Sequence, residues 1–287
     1  MKTSDFKTPE ELLGFVQVCL EERNLEAAAQ AVGDVRTQFA ASALALHIAG
    51  FVWEQTFLEK RALGEEPGLE LYERAESLYR EALEHCREDT IDVHLERLFA
   101  CLFVLGTQRE DVGRLREALA VAERRAARET CEGLAACRRD QATVATAIAR
   151  ATQDPDDWEK AHQCFERAEE PPEGRDALFF HYYRGITRKA LGERANDQAL
   201  LEDAVRSFQA ARRHGSVRGL DYLLADCLVQ LQNPAAADVL EMKALLPLVL
   251  ENANPADPLV RSLAARWEVR KRILKDEGYR FDDGRKP

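Results

Sequence analysis

The chain has 287 residues and carries 40 Lys+Arg against 51 Asp+Glu, a net charge of −11. Apolar residues make up 46% and charged residues 32%, a balance that excludes an intrinsically disordered chain. The acidic total argues against general binding to nucleic acid or to an anionic membrane surface.

Residues 1–9 carry charge and lack the apolar core of a signal peptide. No stretch approaches the roughly 20 apolar residues of a membrane span. The cysteines, Cys19, Cys86, Cys101, Cys131, Cys137, Cys164 and Cys227, are scattered and never form C-x-x-C. They read as reduced thiols, which points to the cytoplasm.

In chain order, a first helix pair is expected over residues 8–22 and 24–39, joined near Arg23-Asn24. From there the chain repeats. Steps of 43 residues from Ala75 reach Ala118, Ala161 and Ala204. Four residues later stand Tyr79, Ala122, Phe165 and Phe208; seven later, Ala82, Arg125, Ala168 and Ala211; three earlier, Tyr72, Leu115, Trp158 and Leu201. These offsets share one helix face, large then small then large then small. A small residue lets a second helix approach, and the aromatic fills the space beside it. Arg125 is the one break in the pattern.

Each such helix follows a partner, over about 41–63, 91–105, 131–151 and 175–191. Turn-rich connections such as Gln153-Asp-Pro-Asp-Asp157 and Gly192-Glu-Arg-Ala-Asn-Asp197 separate the partners. A further pair is expected at 217–232 and 235–252, then a closing helix at 256–276. The basic end of that helix, Arg266 to Lys275, suits a helix C-terminus. No alternating strand pattern occurs.

The expected fold is therefore all-α, a right-handed α-solenoid of antiparallel helix pairs. The pairs run about 8–40, 41–88, 90–129, 131–171, 174–214 and 217–253, with the cap at 256–276, as one domain over residues 1–278. Residues 279–287 are expected to be a mobile tail.

The pattern resembles the tetratricopeptide-repeat superfamily. Ala161, Phe165, Ala168 and Pro172 match its second-helix signature, as do Ala204, Phe208 and Ala211, and Ala75, Tyr79 and Ala82. Leu12, Phe15, Val16 and Ala28 fit the first pair, and Gly185 is the best match to the first-helix glycine. The central repeats are longer than the usual family length. The resemblance implies a superhelix with a concave groove lined by first helices.

If Gly185 marks that glycine, the 43-residue step places Trp53, Glu96, Arg139 and Tyr182 at one groove position. The next turn brings Lys60, Phe103, Thr146 and Lys189, with Arg138, Arg184 and Arg188 nearby. A mixed aromatic and basic groove suits an acidic or C-terminal peptide. Each ring can equally be inter-helix core, and each cation a solvated face. The run from Phe179 to Arg184 is either an interface or a core packed on both sides.

Catalysis finds little support. The His residues form no H-E-x-x-H, and His162-Gln-Cys164 has no second cluster to complete a metal site. Cys101, Cys131, Cys137 and Cys164 read as small core residues. Asp156-Asp157 and Asp282-Asp283 read as a helix start and a solvated tail. No phosphate loop or nucleophile elbow is present, so no cofactor or metal is expected. Arg124-Arg125, Arg212-Arg213 with Arg218, and Arg270-Lys271-Arg272 are short basic groups that make RNA binding a minor alternative.

The reading is a non-enzymatic scaffold or adaptor for a protein or peptide. By family analogy, the alternative is a regulatory or sensor subunit of the bacterial kind. Such a subunit controls a neighbouring protease, nucleotide-dependent enzyme or transcription factor.

Overall fold

The computed structural model describes residues 1–128 and 131–281, the side chains of Cys131 and Glu132 excepted. Every regular element among the described residues is helical. The chain divides into two compact units, Met1–Gln153 and Asp154–Pro287.

Unit 1 opens with a 3-10 turn at Thr3–Asp5. It continues through α1 (Pro9–Glu21), α2 (Leu25–Ala31), α3 (Val35–Gln38), α4 (Ala43–Ala62), α5 (Glu70–His85), α6 (Ile91–Arg109), α7 (Val112–Ala126) and α8 (Cys131–Thr152). Unit 2 holds α9 (Pro155–Arg167), α10 (Gly174–Ala195), α11 (Gln198–His214), α12 (Leu220–Gln230), α13 (Ala236–Asn252) and α14 (Pro258–Asp276). Within each unit the main packing is between consecutive helices.

The repeating face is the buried face. Ala75, Ala118, Ala161 and Ala204 are fully buried, and Tyr79, Ala122, Phe165 and Phe208 lie beside them in the cores. Arg125, where the pattern breaks, is also buried. It reaches Asp140 Oδ2 at 2.9 Å and Glu96 Oε2 at 3.6 Å. Burial pushes the Asp140 carboxyl up to about 6, against the pull of Arg125.

The 43-residue step recurs in the connections with a physical cause. Glu110, Gln153 and Asn196 all take left-handed backbone, at φ of 54, 57 and 51°. There the N–H groups of Glu110 and Asn196 close onto the carbonyls of Gly106 and Gly192. The next residue in each case, Asp111, Asp154 or Asp197, caps the following helix with its carboxylate. So each of these turns needs only two residues between the helices, the left-handed one and the capping aspartate. A non-glycine left-handed residue costs about 1 kcal/mol. Glu110→Gly is therefore expected to raise stability by about 0.5–1 kcal/mol, measured by urea unfolding.

Two departures from the expected layout have local reasons. Residues 24–39 are not one helix but α2 and α3, with a break at Val32–Asp34. The buried Thr3 hydroxyl sits in that break. It donates to the Ala31 carbonyl at 2.7 Å and accepts from the Asp34 N–H at 3.1 Å, replacing helical bonds. The basic end of α14 serves α12 as well as its own terminus. Arg270, 9% exposed, donates to the carbonyls of Val229, Leu231 and Gln232 where α12 ends.

Of the C-terminal tail, Tyr279–Phe281 are described. Phe281 meets the Trp267 ring at 5.6 Å, and Lys243 lies over Phe281. Asp282 and Asp283, expected as solvated charge, lie outside the described residues, as does the Cys131 side chain.

Candidate functional site

The sequence-selected residues divide between the two units. In unit 1, Trp53 is half-buried on α4 against the core, with Arg74 stacked 5.2 Å from its ring. Lys60 is exposed, 4.0 Å from Glu65. Phe103 lies half-buried on α6, parallel to Phe99 at 6.2 Å. Arg138 and Arg139 are half-buried on α8. Thr146, in the same frame as Lys60 and Phe103, is fully buried.

In unit 2, the three selected cations on α10 are paired with nearby acids. Arg184 lies 3.5 Å from Glu170 and 3.9 Å from Glu166. Arg188 lies 3.1 Å from Glu166 and 3.9 Å from Asp203. Lys189 contacts Glu193 at 2.5 Å and Asp226 at 2.9 Å. Burial lowers Arg184, with Arg188 adding to the effect. Burial also pushes Lys189 down, but Asp226 and Glu193 outweigh it and hold it above its ordinary value. Tyr182 packs its edge toward Phe208 at 6.4 Å. These four residues sit within the packing of unit 2, and the charges of the three cations are already answered.

The 43-residue frame also shifts in α4. A Cβ on Gly50 would lie 2.8 Å from Tyr79, and one on Gly185 2.6 Å from Phe208. These glycines play the same part, yet 43-residue steps from Gly185 arrive at Thr56, not Gly50. Trp53 follows Gly50 by three residues, whereas Tyr182 precedes Gly185 by three. Trp53 and Tyr182 are therefore not packing equivalents. The longer connection between α4 and α5, residues 63–69, absorbs the difference.

An open concavity of unit 1 lies instead where the α1–α2 turn meets α4. It holds about 490 Å³ and is lined by Leu20, Arg23, Leu25, Phe51, Gln55, Leu58 and Glu59. Phe51, Gln55 and Leu58 recur at helical spacing along one face of α4. The turn is tight: Arg23 takes φ 56°, the Asn24 N–H bonds the Cys19 carbonyl at 2.7 Å, and the Asn24 side chain caps α2. Leu58 is 43% exposed, a large apolar side chain facing water. Among the described residues the side chains of Arg23, Gln55 and Glu59 have no hydrogen-bond or ion-pair partner. An apolar floor with such polar groups at its edge is the usual character of a binding cleft.

The cleft wall is braced from behind. Arg97 of α6 lies 5.0 Å over the Phe51 ring and reaches Glu54 Oε1 at 3.4 Å. Glu54 is 5% exposed and accepts from the Tyr79 hydroxyl at 3.1 Å. Burial raises its carboxyl above the ordinary range, while Arg97 and Tyr79 pull it back.

No three His, Cys, Asp or Glu side chains gather as a metal site among the described residues. Cys101 and Cys137 are buried in the core, and Cys164 is half-buried. No described helix is long and apolar enough to cross a membrane. Compared with known proteins, the chain matches no family model and no curated sequence.

Proposed function

We propose that this chain is a tetratricopeptide-like helical-repeat scaffold. It binds a protein segment without catalysing a reaction on it, in the cytoplasm. The observation that carries the reading is the unit 1 cleft, with an apolar floor and three polar side chains that no internal group uses. Its volume accommodates two or three side chains. The floor of Leu20, Leu25, Phe51 and Leu58 suits a bulky apolar anchor. Arg23 suits a carboxylate beside that anchor, because a guanidinium grips it with two parallel bonds. Gln55 can hold a peptide amide from either side. Consecutive-helix packing and the 43-residue step support a solenoid on which such a cleft is preformed.

The test is selection from a random peptide library on the intact chain, then anisotropy with the labelled winners. An apolar anchor of this size contributes about 1.5–3 kcal/mol. Leu58→Lys is therefore expected to weaken binding about 10–100-fold. Arg23→Glu should select against the acidic residue. Winners that bind wild type and Leu58→Lys equally well overturn the reading.

A further inference from the structure

Behind the cleft, His47 of α4 and His94 of α6 meet edge to face. Their Nδ1 atoms are 3.1 Å apart, the ring centroids 4.9 Å, and the planes cross at 75°. Two nitrogens at hydrogen-bond distance cannot both carry a hydrogen. One ring donates through Nδ1–H and the other accepts with a bare Nδ1. The contact therefore fixes two opposite tautomers and holds one hydrogen between the Nδ1 atoms. A first added proton can sit on the donor's Nε2, but a second puts N–H against N–H and breaks the bond.

The surroundings leave an added charge unanswered. His94 is buried, and the fully buried Tyr79 of α5 lies 5.3 Å from His47. Arg97, also on α6, acts on His47 as a cation and so opposes an added proton. Glu54 of α4 is the nearby acid, already held by Arg97 and Tyr79. The other helices against α4 bring apolar residues: Leu12 and Val16 from α1, Ala28 from α2, Val35 from α3. Against α6, α7 brings Leu115, Ala118 and Ala122, and its Arg125 is paired with Glu96 and Asp140.

The pair and the cleft share one seam. His47 and Phe51 stand one turn apart on α4, and His94 and Arg97 one turn apart on α6. Along that seam His47 meets His94, and Phe51 meets Arg97. We infer that the His47–His94 contact is a latch on the α4–α6 seam, holding the Phe51 wall of the cleft and releasing it when both rings are protonated. The latch stands on its own geometry; its effect on ligand rests on the cleft being a binding site.

Burial, then the neighbouring His94 and Arg97, lowers His47 from 6.5 to about 4, and burial lowers His94. A folded value below the unfolded one means the unfolded chain binds the proton more readily. Stability from the latch is thus complete above about pH 6.5 and is lost as the pH falls toward 4.

The experiment is nitrogen-detected NMR of the histidine rings in the intact chain, with hydrogen exchange at pH 7.5 and 4.5. Expected at pH 7.5 are one Nδ1–H ring and one Nε2–H ring for His47 and His94. On going to pH 4.5, protection of α4 and α6 amides, corrected for intrinsic exchange, should fall at least about tenfold. His94→Gln keeps a donor opposite His47 but removes one titrating ring, and should lose clearly less protection. Rings of the same tautomer that titrate independently near 6.5 overturn the latch, and this measurement needs no variant to fold. Binding of a selected peptide is then compared at the two pH values. A steeper acid loss in wild type than in His94→Gln supports the coupling. Equal losses overturn it. If the rings behave as expected and no peptide binds, the cleft reading fails and the latch stands.

Discussion

Gly185→Ala is expected to lower the stability of unit 2 by about 2 kcal/mol. The added Cβ would lie 2.6–2.9 Å from three atoms of the Phe208 ring, closer than carbon atoms approach. Phe208 is fully buried, and Tyr182 packs against it as well, so the ring has little freedom to retreat. Overpacking of this kind costs about 1–3 kcal/mol. The better helix propensity of alanine returns up to about 1 kcal/mol. Urea unfolding followed through Trp158 and Trp267, both in unit 2, measures the net change. Gly14→Ala is the control: at an exposed position of α1, a Cβ there meets nothing within 4 Å. That change should stabilise, or do nothing. Phe208→Leu in the Gly185→Ala background should recover part of the loss. A neutral Gly185→Ala would mean that α10 and α11 are not packed this closely.

Asp226→Ala is expected to cost about 3 kcal/mol. Asp226 on α12 is 5% exposed and joins three helices. One oxygen takes Lys189 of α10 at 2.9 Å, and the other takes the Arg266 guanidinium of α14. Deleting one partner of a buried pair leaves uncompensated charge, a loss of about 3–5 kcal/mol. Two features pull toward the lower end: Lys189 keeps Glu193, and the Arg266 side chain is 38% exposed. The contrast is Glu202→Ala. Its Arg206 partner, 4.0 Å away, is 65% exposed, so that pair should contribute under about 1 kcal/mol. Similar losses from the two substitutions would show that the Asp226 junction is solvated.

The helical repeat was legible because its signal is volume at fixed spacing. Ala118 with Ala122, or Ala204 with Phe208, leaves one way for two helices to approach. The left-handed turn residues were hidden, because Glu110, Gln153 and Asn196 share a backbone conformation but are three different residue types. The shift in α4 was hidden for a related reason. The matching glycine, Gly50, lies outside the 43-residue frame, and that frame drew attention to Trp53 and Lys60. Phe51, Gln55 and Leu58 carried a readable signal, a helical stripe leading away from the Arg23-Asn24 turn. The cations Arg184, Arg188 and Lys189 looked free because their partners Glu166, Asp203 and Asp226 belong to other helices. Charge in a sequence says nothing of who answers it.

Arg270 has a consequence for how unit 2 comes apart. Its guanidinium stands in for the next turn of α12, holding carbonyls that would otherwise need water. Peeling α14 away uncaps α12 at the same moment, so the two should open as one cooperative element, though α13 lies between them in the chain. A lysine could satisfy only one or two of those diverging carbonyls. Arg270→Lys should therefore split that single opening event into two, with α14 exchanging its amides well before α12.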